Sequence, residues 1–198
     1  ALARDGFNLL GARFLALYRV IETWVMERDA RPAEQPPGEK TQAPAPAAGR
    51  LVPNGGFEEV LDATRFASSW TAHQWGVAGA QYSVRSDRSN ARSGERSIVV
   101  QATGDGALPG AFTTLAATLE PGRYELRFWA CADVGKTAQV HANLAGKDLG
   151  PFKVDEDWKQ IAQAIEVGER RPGAVLRLWT STPRVRVWFD DVSLEKLP

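Results

Sequence analysis

The stretch "YELRFWACA", from Tyr124 to Ala132, alternates two kinds of side chain. Apolar residues occupy one parity, and Glu125, Arg127 and Trp129 lie on the other. Because successive side chains of a β-strand point to opposite faces, this period of two predicts a strand with one face on a core. The stretches "VLRLWTS" and "VRVWFDD" show the same pattern nearer the end of the chain.

Further strand-like runs surround these three, separated by turn signals such as "DGALPG", "EPGR" and "ERRPG". They are "AQYSVRS", "RSIVVQA", "AFTTLAATL", "TAQVHANLAG" and "WKQIAQAIEV". Many short strands with no helical run between them predict an all-β sandwich or barrel. We therefore expect residues 51–198 to form one β domain.

Residues 1–30 have a helical period instead. Apolar residues recur there at steps of three and four, at Phe7, Leu10, Phe14, Leu17, Ile21 and Trp24. Charged residues interrupt this stripe, so the segment fits a lipid-spanning helix poorly. An apolar helix must still be covered. It could pack on its own domain or be the tail of a truncated region. It could also dock onto a membrane-embedded partner or lie at a membrane surface.

Residues 31–50, "RPAEQPPGEKTQAPAPAAGR", contain five of the 12 prolines and no apolar period. This composition predicts an extended, semi-rigid Pro/Ala-rich linker. The chain therefore divides into an N-terminal helix, a linker and a β domain.

The formal net charge is zero, with 24 Lys and Arg against 24 Asp and Glu. Such a chain lacks the basic surface that nucleic-acid binding requires, so we expect no nucleic-acid partner. The single cysteine, Cys131, excludes an internal disulfide and is interpreted as a strand residue rather than a nucleophile.

The sequence contains no recognisable catalytic motif. His73 and His141 have no metal-binding spacing, and no phosphate loop, dinucleotide fingerprint or nucleophile elbow is present. Asp190 and Asp191 are adjacent on a predicted strand, so their side chains tend toward opposite faces. The paired carboxylates of a glycosidase must face each other across about 5 to 10 Å. We therefore expect that the chain is not an enzyme.

Six stretches follow one another in the order typical of a known family. They are "LVPNGGFEE", "SSWTAHQWG", "ARSGERSIVVQA", "TLEPGRYELRFWACA", "DWKQIAQAIEV" and "VWFDDVSLE". Together they resemble the carbohydrate-binding modules of families four, nine and twenty-two, over residues 51–197. The resemblance implies a jelly-roll β-sandwich of the galactose-binding-like type that binds polysaccharide or another glycan. It also implies that Trp70 belongs to the core.

In such modules a calcium ion often ties the first strand to the last. Carried over to this sequence, the ligands would be Glu58 and Asp191, with Asp190 or Glu59 as substitutes. Calcium takes about six to eight oxygen ligands, and backbone carbonyls can supply some of them. The alternative is two surface aspartates on an edge strand, with no ion.

The last strand contains a change of parity. Val187 and Phe189 share one parity, whereas Val192 and Leu194 share the other. If both pairs face the core, the alternation must slip at the two aspartates between them. A β-bulge produces this slip, so the sequence predicts a bulge there.

Residues that alternate with the core positions are candidates for sugar binding. A tryptophan ring can stack on the apolar face of a sugar, and arginine can donate hydrogen bonds to hydroxyls or carboxylates. The predicted platform consists of Trp129, Trp179, Trp188, Arg127, Arg177 and Arg186. Alternatively, these tryptophans are covered by the N-terminal helix or by long loops.

Two functions remain open. The first is a non-catalytic carbohydrate-binding module attached through the linker to an anchoring helix. The second is a structural or accessory subunit of a larger membrane-associated assembly, in which the sandwich docks onto protein. For either function we expect a periplasmic or extracellular location, with membrane association through the N-terminal helix.

Overall fold

A computed structural model of the chain describes residues 51–198. The predicted helix, with its stripe from Phe7 to Trp24, and the predicted linker lie outside the described residues. The described part contains ten strands. They are β1 (Thr71–Gln74), β2 (Tyr82–Asp87), β3 (Ser97–Ala102), β4 (Pro109–Thr114), β5 (Gly122–Ala132), β6 (Ala138–Leu144), β7 (Lys147–Val154), β8 (Lys159–Val167), β9 (Val175–Thr180) and β10 (Arg186–Lys196).

The strands form two antiparallel sheets of five. The first sheet has the order β1-β4-β9-β6-β7, and the second sheet has the order β2-β3-β10-β5-β8. Their inner faces enclose one main apolar core, so the predicted all-β sandwich is confirmed. Within residues 51–198, no helix is long and apolar enough to cross a membrane.

The alternation of β5 is as predicted. Tyr124, Leu126, Phe128 and Ala130 are all buried in the core, and the residues between them lie on the outer face of the second sheet. In β9 and β10, the leucines of "VLRLW" and Val187 are likewise buried. The period of two therefore gave the correct inward and outward direction on each of these strands.

The predicted β-bulge in β10 is confirmed. Asp190 pairs with Trp129 of β5, but the next pair joins Ser193 to Arg127, so β10 contains one extra residue. Asp191 has a positive φ of 48°, which is uncommon for a residue other than glycine. Phe189 and Val192 are both buried, as the slip in parity requires.

The start of the β domain lies against the same bulge. The carbonyl of Gly55 accepts a hydrogen bond of 2.8 Å from the amide of Val192. A Cβ atom on Gly55 would collide with the Val192 carbonyl, so this approach requires glycine. Nearby, Trp70 is buried against Phe57 with ring centroids 5.0 Å apart, so its expected place in the core is confirmed.

Candidate functional site

Strand pairing in the first sheet brings five aromatic side chains onto its outer face. Trp179 of β9 is opposite His141 of β6 and Gly110 of β4, and Phe112 of β4 is opposite Arg177 of β9. Directly paired residues project from the same face of a sheet. We call the resulting row the aromatic strip, and its members are His73, Trp75, Phe112, Trp179 and His141.

Neighbouring rings of the aromatic strip contact one another across the sheet. Trp75 lies 4.9 Å from His73 and 5.9 Å from Trp179, measured between ring centroids. His141 stacks on Trp179 at 5.2 Å, with the two ring planes 9° apart. His73 is exposed and the other four rings are half-buried, so the strip presents aromatic surface to solvent while its members support one another.

Gly110 makes room for the strip. It is the β4 partner of Trp179, and a Cβ atom on it would lie 2.7 Å from both Cα and Cβ of Trp179. That separation is far inside van der Waals contact. The indole of Trp179 can therefore lie over β4, toward Trp75, because the residue beneath it has no side chain.

The polar groups beside the strip set its charge. Burial lowers the pKa of His141 below its ordinary value, and the nearby Asp148 carboxylate opposes this by a smaller amount. His141 Nε2 lies 2.8 Å from Ser181 Oγ. Asp148 also accepts a hydrogen bond of 2.7 Å from Asn143 Nδ2. The imidazole that stacks on Trp179 is therefore neutral at pH 7.

Arg177 is an exposed cation within this surface. Its guanidinium carbon lies 6.0 Å from the centroid of the Trp75 ring, which is a cation–π distance. No ion pair formed by residues 51–198 includes it. Its five donors can therefore hydrogen-bond a ligand that lies on the rings.

The six residues predicted to form one platform do not share a surface. Only two of the six lie on the first sheet. They are Trp179, which belongs to the aromatic strip, and Arg177, which lies beside it. The other four lie on the outer face of the second sheet, on the opposite side of the sandwich, and are Trp129, Trp188, Arg127 and Arg186. The single platform is therefore corrected to two separate groups.

Trp188 is not available to a ligand. Only 4% of it is exposed, because it packs with Val99, Cys131 and Trp158 in a small second core outside the sheet. Its indole Nε1 donates a hydrogen bond of 2.7 Å to Asp87, and Arg186 lies 5.1 Å over its ring. The alternation placed Trp188 outside the main core correctly but could not show that other residues cover it.

The same small core contains Cys131. Its burial raises the pKa of the thiol to about 11, and the strongest opposing effect is a hydrogen bond from Asn90. A thiol with such a pKa is protonated at neutral pH and unreactive. The structure therefore agrees with the interpretation of Cys131 as a structural strand residue.

Trp129 and the two arginines of this group are engaged within the protein. The guanidinium of Arg92 covers Trp129 at 4.2 Å from the ring centroid. Arg127 pairs with Glu125 and with Glu195, and Arg186 pairs with Asp133 at 2.7 Å. Trp129 and Arg127 do line a cavity of about 630 Å³, but Arg92 lies over the Trp129 ring and the charge of Arg127 is paired.

The stretches "NGGFEE" and "FDDV" meet in space, as the resemblance to the carbohydrate-binding modules implied. Glu58 and Asp191 line the same cavity. The Glu58 carboxylate accepts hydrogen bonds from the amides of Glu95 and Arg96. Asp191 accepts one of 2.7 Å from Ser93 Oγ and pairs with Arg92 at 3.1 Å.

The two proposed substitutes have structural roles. Asp190 is fully buried and accepts hydrogen bonds from the amides of Arg92, Ser93 and Asp191. Burial raises its pKa to about 6, against the opposing effect of these bonds. Glu59 accepts a hydrogen bond from Ser68. The first of these carboxylates anchors the loop before β3, and the second lies at the turn after Gly56.

Four members of the aromatic strip were not predicted as site residues. They are His73, Trp75, Phe112 and His141. His73 and Trp75 belong to "SSWTAHQWG", and Phe112 is the outward position in "AFTTL". His141 lies between buried Val140 and Ala142, so the same alternation rule marks it as outward. An outward aromatic on each of several strands was the signal available in the sequence.

Known proteins resemble this chain at the level of structure. No family model matches it. No curated protein matches it either. Solved structures do match, and their similarity covers about three quarters of the chain.

One match is the CBM22-1 xylan-binding domain from Paenibacillus barcinonensis. It has a TM-score of 0.54 and 16% identity, with 77% of this chain and 97% of that one covered. Another is the C-terminal family 22 carbohydrate-binding module from Clostridium thermocellum, with a TM-score of 0.55 and 15% identity over 77% and 96% of the two chains. A third is the enzymatically active domain of tailspike protein 4 of bacteriophage CBA120, with a TM-score of 0.51 and 18% identity over 75% and 21%.

The β domain therefore has the fold of these modules. The jelly-roll sandwich implied by the resemblance to families four, nine and twenty-two is confirmed. At this level of identity the likeness concerns the fold, and the tailspike shows that the fold occurs in proteins of different kinds. The function is therefore inferred from the site.

Proposed function

We propose that residues 51–198 form a non-catalytic carbohydrate-binding module that binds a sugar chain on the aromatic strip. The observation that carries this proposal is the contrast between the two outer faces. The first sheet presents half-exposed rings beside Arg177, which has no ion-pair partner among residues 51–198. The site residues predicted on the second sheet are instead covered or paired, namely Trp129, Trp188, Arg127 and Arg186. The structural neighbours supply support, because two of them are described as carbohydrate-binding or xylan-binding.

The chemistry of the strip suits a polysaccharide. One face of a pyranose ring is rich in C–H groups and packs on an aromatic face, while its hydroxyls need donors and acceptors at the edge. The strip crosses four strands, from His73 on β1 to His141 on β6. Neighbouring strands lie about 4.8 Å apart, so the surface is long enough for more than one sugar unit.

Affinity electrophoresis of the full chain tests the proposal. The protein is run through native gels that contain xylan, galactan, glucan, mannan, alginate or polygalacturonate, and through a gel without polysaccharide. We expect at least one polysaccharide to retard the protein. A folded protein that migrates alike in every gel would contradict the proposed function.

The rest of the chain would position this module. We propose that residues 31–50 act as a spacer and that the helix predicted in residues 1–30 anchors the module at a membrane or on a membrane-embedded partner. The location would then be periplasmic or extracellular, where polysaccharides are accessible. The support for these points is the sequence pattern alone: the apolar stripe of the helix and the proline content of the linker.

The second candidate is an accessory subunit of a membrane-associated assembly, with the sandwich docked onto protein. The apolar stripe of residues 7–24 favours it, because sugar binding does not require such a helix. Deleting residues 1–49 distinguishes the two candidate functions. A module is expected to stay folded and to bind polysaccharide without its anchor. Retained folding with no polysaccharide binding, by either the full or the shortened chain, would favour the accessory subunit.

A structural calcium ion at Glu58 and Asp191 is a separate proposal. The two carboxylates fit a hard cation in ligand type and line one cavity. Residues 51–198 contain no group of three metal-ligating side chains, so backbone carbonyls would have to complete the coordination. Arg92 already lies against Asp191, and calcium would have to share or displace this contact.

A further inference from the structure

Three arginines of the β domain lie over aromatic rings. Arg92 covers Trp129 at 4.2 Å, Arg186 covers Trp188 at 5.1 Å and Arg177 lies 6.0 Å from Trp75. The first two belong to the second sheet and its adjoining loop, and the third belongs to the first sheet. These three sites share the same arrangement of a guanidinium over an indole.

Each of the first two arginines forms an ion pair with a carboxylate of the protein. Arg92 pairs with Asp191 at 3.1 Å, and Arg186 pairs with Asp133 at 2.7 Å. Arg177 has no such partner among residues 51–198, although it is exposed on an open surface. The third site therefore lacks the anion that the protein supplies at the other two.

The row of side chains across the sheet at Arg177 contains one carboxylate, two strands away from the arginine. The neighbours of Arg177 across the sheet are Phe112 on β4 and Asn143 on β6. The next position in this row is Asp148 of β7, whose carboxylate accepts a hydrogen bond from Asn143 Nδ2. Lys153 of β7 lies on the same outer face, opposite Gln139, and adds a second cation. The net charge of these side chains favours an anionic ligand.

We propose that the aromatic strip binds a polysaccharide that contains uronic acid, with a sugar carboxylate paired to Arg177. This inference rests on the proposed function and specifies its ligand class. A planar guanidinium can hold a carboxylate through two parallel hydrogen bonds, which also fixes the orientation of the sugar. With the carboxylate at Arg177, the sugar chain would extend along the aromatic strip toward Trp179.

A neutral sugar offers Arg177 a weaker interaction. Its hydroxyls can accept hydrogen bonds from the guanidinium, but they carry no opposite charge and cannot form the paired, two-bond contact of a carboxylate. The two ligand classes therefore predict different affinities for sugar chains that differ only at C6. An oligomannuronate and a β-1,4-linked manno-oligosaccharide of equal length form one such pair. Oligomers of cellulose with and without oxidation at C6 form another.

Isothermal titration of the full chain with both pairs tests the inference, at low salt and at physiological salt. We expect the uronate of at least one pair to bind about tenfold or more tightly than its neutral partner. Salt should reduce this preference, because the ion pair lies on an open surface. Arg177→Gln should bring the two affinities together, and Arg177→Lys should retain part of the difference. Arg184→Gln is the matched control, because Arg184 lies outside the aromatic strip and pairs with Asp105.

The possible outcomes separate this inference from the proposed function. Equal or tighter binding of the neutral oligomer in both pairs would overturn the inference and leave the carbohydrate-binding function standing. A uronate preference that survives in Arg177→Gln would overturn the assignment to Arg177. Failure to bind either pair, together with failure to be retarded by any polysaccharide gel, would overturn both.

Discussion

His141 stacks flat on Trp179, with ring centroids 5.2 Å apart and the planes 9° from parallel. The two residues are direct partners across β6 and β9, so the sheet itself holds their rings in contact. Each ring restricts the rotamers of the other. The binding surface is therefore ordered before a ligand arrives, which reduces the entropic cost of binding.

The stacking predicts a pH dependence of folding. The pKa of His141 is lowered in the folded protein because Trp179 and its neighbours remove water from the ring. The unfolded chain therefore binds more protons below pH 6.5, and the free energy of unfolding falls as the pH decreases through that value. We expect denaturant titrations between pH 7.5 and pH 5, in roughly half-unit steps, to show a smaller loss for His141→Gln than for the wild type. Parallel pH profiles for the two proteins would contradict this assignment.

Gly110 offers a way to move Trp179 without deleting it. In Gly110→Ala the new methyl group would collide with the carbonyl oxygen of Leu178 and lie 2.7 Å from Cα and Cβ of Trp179, so this part of β9 must shift. We expect polysaccharide affinity to fall by about tenfold, and stability to fall by about 1–3 kcal/mol. Gly168→Ala is the control, because a Cβ atom there meets nothing within 4 Å. An unchanged affinity in Gly110→Ala would mean that the position of Trp179 is unimportant for binding.

Trp188 should matter for folding and not for binding. Trp188→Ala removes the centre of the small second core and leaves Asp87 without the indole donor. We expect a loss of about 3–5 kcal/mol in the free energy of unfolding. Polysaccharide affinity, measured where the variant is still folded, should be unchanged. The prediction fails if affinity falls while the denaturation midpoint stays constant, because that result would place a ligand at Trp188.

The calcium proposal is tested by thermal melting. A ligand that binds only the folded state stabilises it by about 2.7 kcal/mol at a hundredfold excess over its Kd. Added calcium should therefore raise Tm by roughly 5–10 °C in a protein of this size, and chelator should reverse the rise. Asp191→Asn should abolish this response, whereas Glu195→Gln, on the same cavity, should retain it.

One outcome of the calcium experiment would contradict the proposed site. A melting curve indifferent to calcium and chelator, with no metal in elemental analysis, would rule the ion out. The loop amides and Arg92 would then be sufficient to hold the first and last parts of the domain together.

Much of the fold could be predicted from alternation along single strands. The period of β5 identified its buried residues, and the change of parity between Phe189 and Val192 identified the bulge. Strands β1 and β7 were missed. β1 has only four residues, and β7 contains Gly150 and Pro151, which normally interrupt a strand.

The site could be predicted only in part, because alternation shows whether a side chain points inward but not which sheet its strand joins. Trp179 and Trp188 share the outward parity, yet β9 and β10 belong to opposite sheets. The pattern of a single strand also does not show whether residues distant in the chain cover an outward side chain. Trp158 and Asp87, which enclose Trp188, lie 30 and 101 positions away in the chain.

The proposed function requires that a sugar chain binds the aromatic strip of the first sheet and not the outer face of the second. The most direct test is the Kd of the full chain for a polysaccharide that retards it, measured by isothermal titration for the wild type, Trp179→Ala and Trp129→Ala. We expect Trp179→Ala to weaken binding by about tenfold or more, and Trp129→Ala to bind like the wild type. Loss of binding in Trp129→Ala, with wild-type affinity in Trp179→Ala, would contradict this expectation.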